Sequence, residues 1–176
     1  MTAIIVHGGA GRYTPGEEHE QGLLDAVNAA AGVLDSGGAA IDAVEAAVVS
    51  MEDAPVFNAG YGSSINLAGL VQNDATIMLD DLSCGSVAAL TAAANPIKAA
   101  RLVMERTDHV LLVGEGALRF ANAHVFKEQE LLTDEARRIW LKWKESHSDI
   151  DDWLHLESDQ EAARWKKKGT GSASGS

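Results

Sequence analysis

Residues 18–51, EHEQGLLDAVNAAAGVLDSGGAAIDAVEAAVVSM, decide the fold class. Apolar residues recur at helical spacing through Leu23, Leu24, Val27, Ala30, Ala31 and Leu34, which predicts a helix from about Glu18 to Leu34. Ser36-Gly37-Gly38 then stops it, because glycine readily takes the left-handed cap conformation. A second helix follows at once, from about Ala39 to Met51, with Ile41, Val44, Ala47 and Val48 in one stripe. Its many alanines permit close helix–helix approach. Two consecutive helices break the strict βαβ alternation of a doubly wound parallel sheet, so the expected class is a layered α+β domain.

Working outward toward the N-terminus, Ala3–Val6 is a short apolar, β-branched run that stops at His7-Gly8-Gly9-Ala10-Gly11, and predicts a buried strand feeding a glycine loop. Toward the C-terminus, helical period is lost after Pro55. Phe57-Asn58-Ala59-Gly60-Tyr61-Gly62-Ser63-Ser64 reads as a glycine-punctuated turn, and Ile65–Leu79 contains two short β-like runs. Ser86–Ala93 is expected as a buried strand. Asn95-Pro96 opens a helix with Ile97, Ala100, Leu102, Val103 and Met104 on its face, Val110–Val113 is a short strand, and Gly116–Ala123 is helical. From Phe126 the composition turns polar, and Trp140, Trp143, Trp153 and Trp165 all lie in that stretch. The expected divisions are therefore residues 1–125, a variable polar helical segment at 126–168, and a flexible Gly/Ser linker at 169–176.

Fourteen Lys+Arg against 26 Asp+Glu give a formal charge of -12, which would repel phosphate backbones and anionic lipid headgroups. Neither nucleic acid nor a membrane is an expected partner. MTAIIVHGGAG carries neither the basic region nor the long apolar run of a signal peptide, and the single Cys84 cannot form an internal disulfide; both favour a cytoplasmic reading.

Four features could carry chemistry. Gly9-Ala10-Gly11 offers backbone N–H groups to an anion or a reacting carbonyl, yet the third glycine of a dinucleotide fingerprint is missing, and a plain strand-to-helix turn is the competing reading. Residues 51–62 make a long helix exit, and a loop folded back on itself can supply several carbonyl oxygens to a hard cation. His147, Asp149, Asp151, Asp152 and His155 have metal-ligand residue types, but their polar setting reads equally as a solvated acidic face. Cys84, beside Gly85, reads as a packed small residue rather than a nucleophile.

Six blocks in register remove the anonymity of these loops: Val6–Gly11, Ala39–Val44, Glu52–Gly60, Asp74–Met78, Asn95–Ile97 and His109–Ala117. Together they closely resemble the α subunit of plant-type L-asparaginases, the isoaspartyl peptidases, over about residues 3–123. The resemblance implies an Ntn-hydrolase made as one precursor that cuts itself, with an αββα sandwich of four layers completed by a second chain, the β subunit. It also implies hydrolysis of L-asparagine or of isoaspartyl dipeptides by a threonine freed at the N-terminus of that β subunit. A non-catalytic scaffold, a small-ligand-binding domain, a glycosylasparaginase and a taspase-like protease are the alternatives.

Carried over residue by residue, the resemblance places Asn58 beside the nucleophile, with Gly8 and Gly9 in the turn that passes near it. It assigns a structural sodium ion to the backbone carbonyls of Met51, Glu52, Ala54, Phe57, Ala59 and Tyr61, with no organic cofactor. The implied assembly is an (αβ)2 heterotetramer. Thr170 follows a glycine, as the family's nucleophile often does, but the Gly171-Ser172-Ala173-Ser174 after it cannot be a buried strand; the preferred reading puts the cut after Ser176. The family's Arg-Ala-Gly run is replaced here by Leu82-Ser83-Cys84-Gly85.

Overall fold

A computed structural model describes residues 2–10, 16–124 and 126–147. In chain order the elements are α1 (Glu17–Asp35), α2 (Ala40–Glu52), β1 (Asn73–Met78), β2 (Cys84–Leu90), α3 (Pro96–Arg106), β3 (Leu111–Val113), α4 (Gly114–Ala123) and α5 (Asp134–His147). The chain divides into two compact units, Met1–Ala136 and Arg137–Ser176.

The paired helices form where the periodicity places them. At the end of α1, Gly37 takes φ 82° and the Gly38 N–H returns to the Val33 carbonyl at 2.9 Å, so the glycines satisfy carbonyls the helix would leave open. Asp42 in the first turn of α2 accepts the Ala39 N–H at 3.3 Å. Ala26 and Ala30 of α1 meet Ala43 and Ala47 of α2, all at 3% exposure or less, which is the close alanine contact the sequence anticipates. Arg101 of α3 ties the helical layer together, pairing with Asp42 at 2.7 Å, Glu45 at 3.1 Å and Glu105 at 2.7 Å.

The three strands lie in the order β1-β2-β3, with β1 antiparallel to β2 and β2 parallel to β3. A parallel pair needs a crossover, and α3 supplies it. Alternation sorts the sheet into two faces. Ile77, Val87 and Leu112 turn toward α3, where Ala99, Ala100 and Val103 complete the core, and Gly85 lies so close to α3 that a side chain there would collide with the Ala100 carbonyl. On the opposite face stand Thr76, Met78, Ser86, Ala88, Leu111 and Val113. Met78 is 60% exposed, Leu111 51% and Val113 54%.

Three expectations are corrected. Ala3–Val6 joins no sheet among the described residues: Ile4 and Val6 pack on the α1–α2 pair while Ile5 is 94% exposed, because an extended segment becomes a strand only beside another strand. The first β-like run of residues 65–79 shrinks to the single bridge Ile65–Val71, since Asn66 closes the tight turn between them, its Oδ1 taking the Leu70 N–H at 3.0 Å. The strand expected to reach Ala93 ends at Leu90; Ala89 and Ala92 take φ 50° and 57°, and Asp74 Oδ1 accepts the Ala89 N–H at 2.7 Å across a bulge.

The compositional change at residue 126 does not coincide with the end of packing. Leu131 is 2% exposed, its carbonyl accepts the Gly62 N–H at 3.1 Å, and the Gln129 N–H reaches the Ala92 carbonyl at 2.8 Å. Within the polar stretch α5 is helical. The linker at 169–176 and Thr170 lie outside the described residues. Among the described residues no helix is long and apolar enough to cross a membrane.

Candidate functional site

The loop that follows α2 is built by folding back onto that helix. Pro55 cannot continue the helical hydrogen bonds. The Ala54 N–H reaches Met51 O at 3.3 Å, the Phe57 N–H reaches Ala54 O at 3.1 Å, and the Tyr61 N–H returns to Glu52 O at 2.9 Å. Phe57, 4% exposed, is the anchor. Its ring lies between Gly8 and Gly22, where an added Cβ would come within 2.8 Å and 2.7 Å of it, and His19 meets it edge-on at 6.2 Å. Gly8, expected near the site, is thus brought to this loop as the floor of the Phe57 slot. Gly9 has φ 96° and donates its N–H to His7 Nδ1 at 3.1 Å.

Asn58, next to that anchor, is exposed. Its Oδ1 accepts the Ser64 N–H at 2.7 Å, which orients the carboxamide and leaves Nδ2 without a hydrogen bond among the described residues. The side chain borders a cavity of about 310 Å³ that Glu52, Gly60, Ser64, Asn73 and Asp74 also line. Asn73 clamps the far side of the loop: its Oδ1 accepts the Gly60 N–H at 3.1 Å and lies 2.8 Å from Ser63 Oγ. The Ser63 hydroxyl is also 2.9 Å from the Gly60 carbonyl, so one proton serves two acceptors.

Glu52 is buried at 3% exposure, and its Oε1 accepts the N–H of Ile97 in the first turn of α3 at 3.1 Å. Beside it Asn95 Nδ2 donates to Asp53 Oδ1 at 2.9 Å, and Lys98 Nζ donates to Asn95 Oδ1 at 3.2 Å. Burial pushes the Glu52 carboxyl up to about 7, against the lowering effect of the Ile97 N–H it accepts. Glu52 Oε2 and Asn73 Nδ2 are both buried without a hydrogen-bond partner among the described residues.

The carbonyls of Met51, Glu52 and Ala54 each accept one N–H of the loop and keep a second lone pair, while those of Phe57, Ala59 and Tyr61 accept no hydrogen bond among the described residues. Neutral carbonyl oxygens on one folded-back loop fit a monovalent cation better than a divalent one, which would recruit carboxylates. Among the described residues no group of three or more His, Cys, Asp or Glu could hold a metal ion. Of the acidic and histidine cluster, His147 ends α5, and Asp149, Asp151, Asp152 and His155 lie outside the described residues. Cys84 is half-buried opposite Met78 in the hairpin, away from the loop.

Asn73, Ser63 and the Glu52 side chain are participants that the sequence reading did not single out. Asn73 carried a signal: it shares its face of β1 with Ala75 and Ile77, and a polar side chain in an inward register needs a buried partner.

The asparaginase family profile matches residues 1–173. A plant-type L-asparaginase of Pyrococcus abyssi is 45% identical over 162 residues, covering 89% of this chain and 53% of the relative. An isoaspartyl peptidase/L-asparaginase of Xenopus laevis is 44% identical over 160 residues, 87% of this chain and 52% of the relative. The human protein of the same name is 45% identical over 148 residues, 80% of this chain and 48% of the relative. The chain spans about half the length of the curated relatives it matches.

Proposed function

The chain belongs to the asparaginase family, and from that membership we propose that it is the α subunit of an Ntn-type amidohydrolase acting on L-asparagine, on isoaspartyl dipeptides, or on both. The single observation that carries the two-chain reading is the apolar sheet face left exposed among the described residues. Met78, Leu111 and Val113 project from it among small residues, as an inner layer does before a second sheet is stacked on it. Relatives about twice as long supply room for that second sheet. The proposal extends to a self-cleaved precursor, an αββα sandwich shared with a β subunit, an (αβ)2 assembly and a cytoplasmic location.

In this reading the β subunit's N-terminal threonine supplies the nucleophile, and its own α-amine takes the hydroxyl proton as the oxygen attacks the amide carbonyl. The leaving nitrogen collects that proton and departs as ammonia or as an amino acid. Water then adds to the acyl-enzyme, and aspartate is released. This chain contributes position: Asn58, held by the Ser64 N–H on a loop pinned through Phe57, offers Nδ2 to the reacting centre. A sodium ion on the carbonyls of Met51, Glu52, Ala54, Phe57, Ala59 and Tyr61 would stiffen the same loop without entering bond breaking.

Expression of the whole reading frame and assay of aspartate release from L-asparagine and from a β-aspartyl dipeptide test the proposal; a folded, uncut product inert toward both would refute it. Within that enzyme, Asn58→Ala is expected to lower kcat by about 10²-fold, the usual scale for losing one donor at a reacting oxygen. Because the side chain is exposed, its melting temperature should move little. A loss of stability matching the loss of turnover would assign Asn58 to the fold instead. Replacing sodium by a bulky organic cation at equal ionic strength should reduce turnover, and one residue inserted after Pro55 should abolish it. An undiminished rate with the loop still ordered would remove the cation from the account.

A further inference from the structure

α2 ends in a way its own electrostatics disfavour. Glu52 and Asp53 place two carboxyl groups at the negative end of the helix macrodipole, and the Glu52 side chain is driven inward as well. What compensates lies on a different element. Asn95 makes no side-chain cap for α3, and Pro96 at its first position has no N–H, so Ile97 presents the first free donor of that helix. Glu52 Oε1 takes it at 3.1 Å, a cap delivered from 45 residues away in sequence. The same residue holds the loop through its main chain: its carbonyl accepts the Tyr61 N–H at 2.9 Å, and Gly60 is packed against its Cβ, where an added carbon would sit at 2.8 Å. Glu52 is therefore bonded at once to α3 through its side chain and to the far end of the Asn58 loop through its backbone.

We infer that the Glu52 side chain is a positioning residue: by capping α3 it fixes the end of α2, and through that the return of the loop at Tyr61 and the aim of Asn58. This goes beyond any cation-binding role, which would use only the backbone of residue 52, and it rests on the proposed amidohydrolase reading where turnover is the readout. The requirement is for an oxygen at the reach of a glutamate, not for a charge.

Three variants in the assembled enzyme separate these terms. Glu52→Gln keeps an oxygen for the Ile97 N–H, Glu52→Leu keeps the volume without the acceptor, and Glu52→Asp keeps the charge one methylene short. Leu and Asp are expected to lower kcat by about 10- to 100-fold with KM within about threefold, the scale of a misplaced catalytic group, whereas Gln recovers most of the loss. Hydrogen exchange at the Ile97 and Tyr61 amides should stay slow in Gln and quicken together in Leu and Asp. Should the Leu variant not fold, the Asp and Gln pair carries the comparison. Wild-type turnover in Leu, or a Gln variant as impaired as Leu, overturns the inference. If the wild-type enzyme hydrolyses neither substrate, the functional proposal fails by itself, and the exchange arm still decides: exchange at Tyr61 indifferent to the Glu52→Leu change defeats the positioning role.

Discussion

Gly60→Ala is expected to destroy the candidate site. Gly60 has φ 56°, a conformation that costs a side-chain-bearing residue about 1–2 kcal/mol before any contact is considered. The added methyl would collide with the Glu52 carbonyl and come within 2.7 Å of the Ala94 carbonyl. Both obstacles are backbone, so neither can rotate aside, and overpacking of this kind adds about 1–3 kcal/mol more. The loop would yield first: the Gly60 N–H would leave Asn73, the Ser63 hydroxyl would lose one of its acceptors, and Asn58 would lose its aim. The measurable outcome is turnover reduced by more than about 10²-fold together with a lowered melting temperature. An alanine variant that melts and turns over like wild type would show that the loop does not sit against α2 as described.

The second large effect concerns the chain by itself. Residues 1–176 expressed without a partner should not melt cooperatively as a monomer, because among the described residues Ile5, Met78, Leu111 and Val113 all stand half or more exposed. The N-terminal segment adds a row of backbone donors and acceptors that pairs with no strand among the described residues, the kind of edge that recruits other chains. Binding of an apolar dye, a broad thermal transition and concentration-dependent association are the expected signs. A sharp, reversible, monomeric transition would mean that the exposed face is tolerated and that no second sheet is required.

The helices were legible because their signals are local. Ser36-Gly37-Gly38 ends α1 through bonds to Gly32, Val33 and Leu34, and the many alanines of α2 signalled a close helix contact, made by Ala26 and Ala30 against Ala43 and Ala47, whereas Leu24 and Val44 of the expected stripes are 50% and 44% exposed. Asn95-Pro96 likewise marks the start of α3 without reference to anything distant. What stayed hidden depends on partners far along the chain. Ile4, Ile5 and Val6 have strand composition, but pairing is a property of a neighbour, so the segment's burial could not be read from the segment. The Glu52–Ile97 bond and the Asn73 clamp on Gly60 each span elements whose approach is settled only by packing. The Asn58 loop stood out by its length and its glycines. The positive φ of Gly60 and Gly62 accounts for those glycines, while the Phe57 slot explains a third, Gly22, that helix propensity alone would have disfavoured.

In the proposed function this chain is one half of a self-cleaved amidohydrolase whose nucleophile belongs to the other half. Purifying the product of the complete reading frame through this chain, then determining the mass and N-terminal sequence of whatever accompanies it, tests that claim most directly. The account predicts a companion polypeptide of comparable size beginning with threonine, released from the same frame. A single uncut polypeptide that hydrolyses asparagine, or a companion with any other first residue, would contradict it.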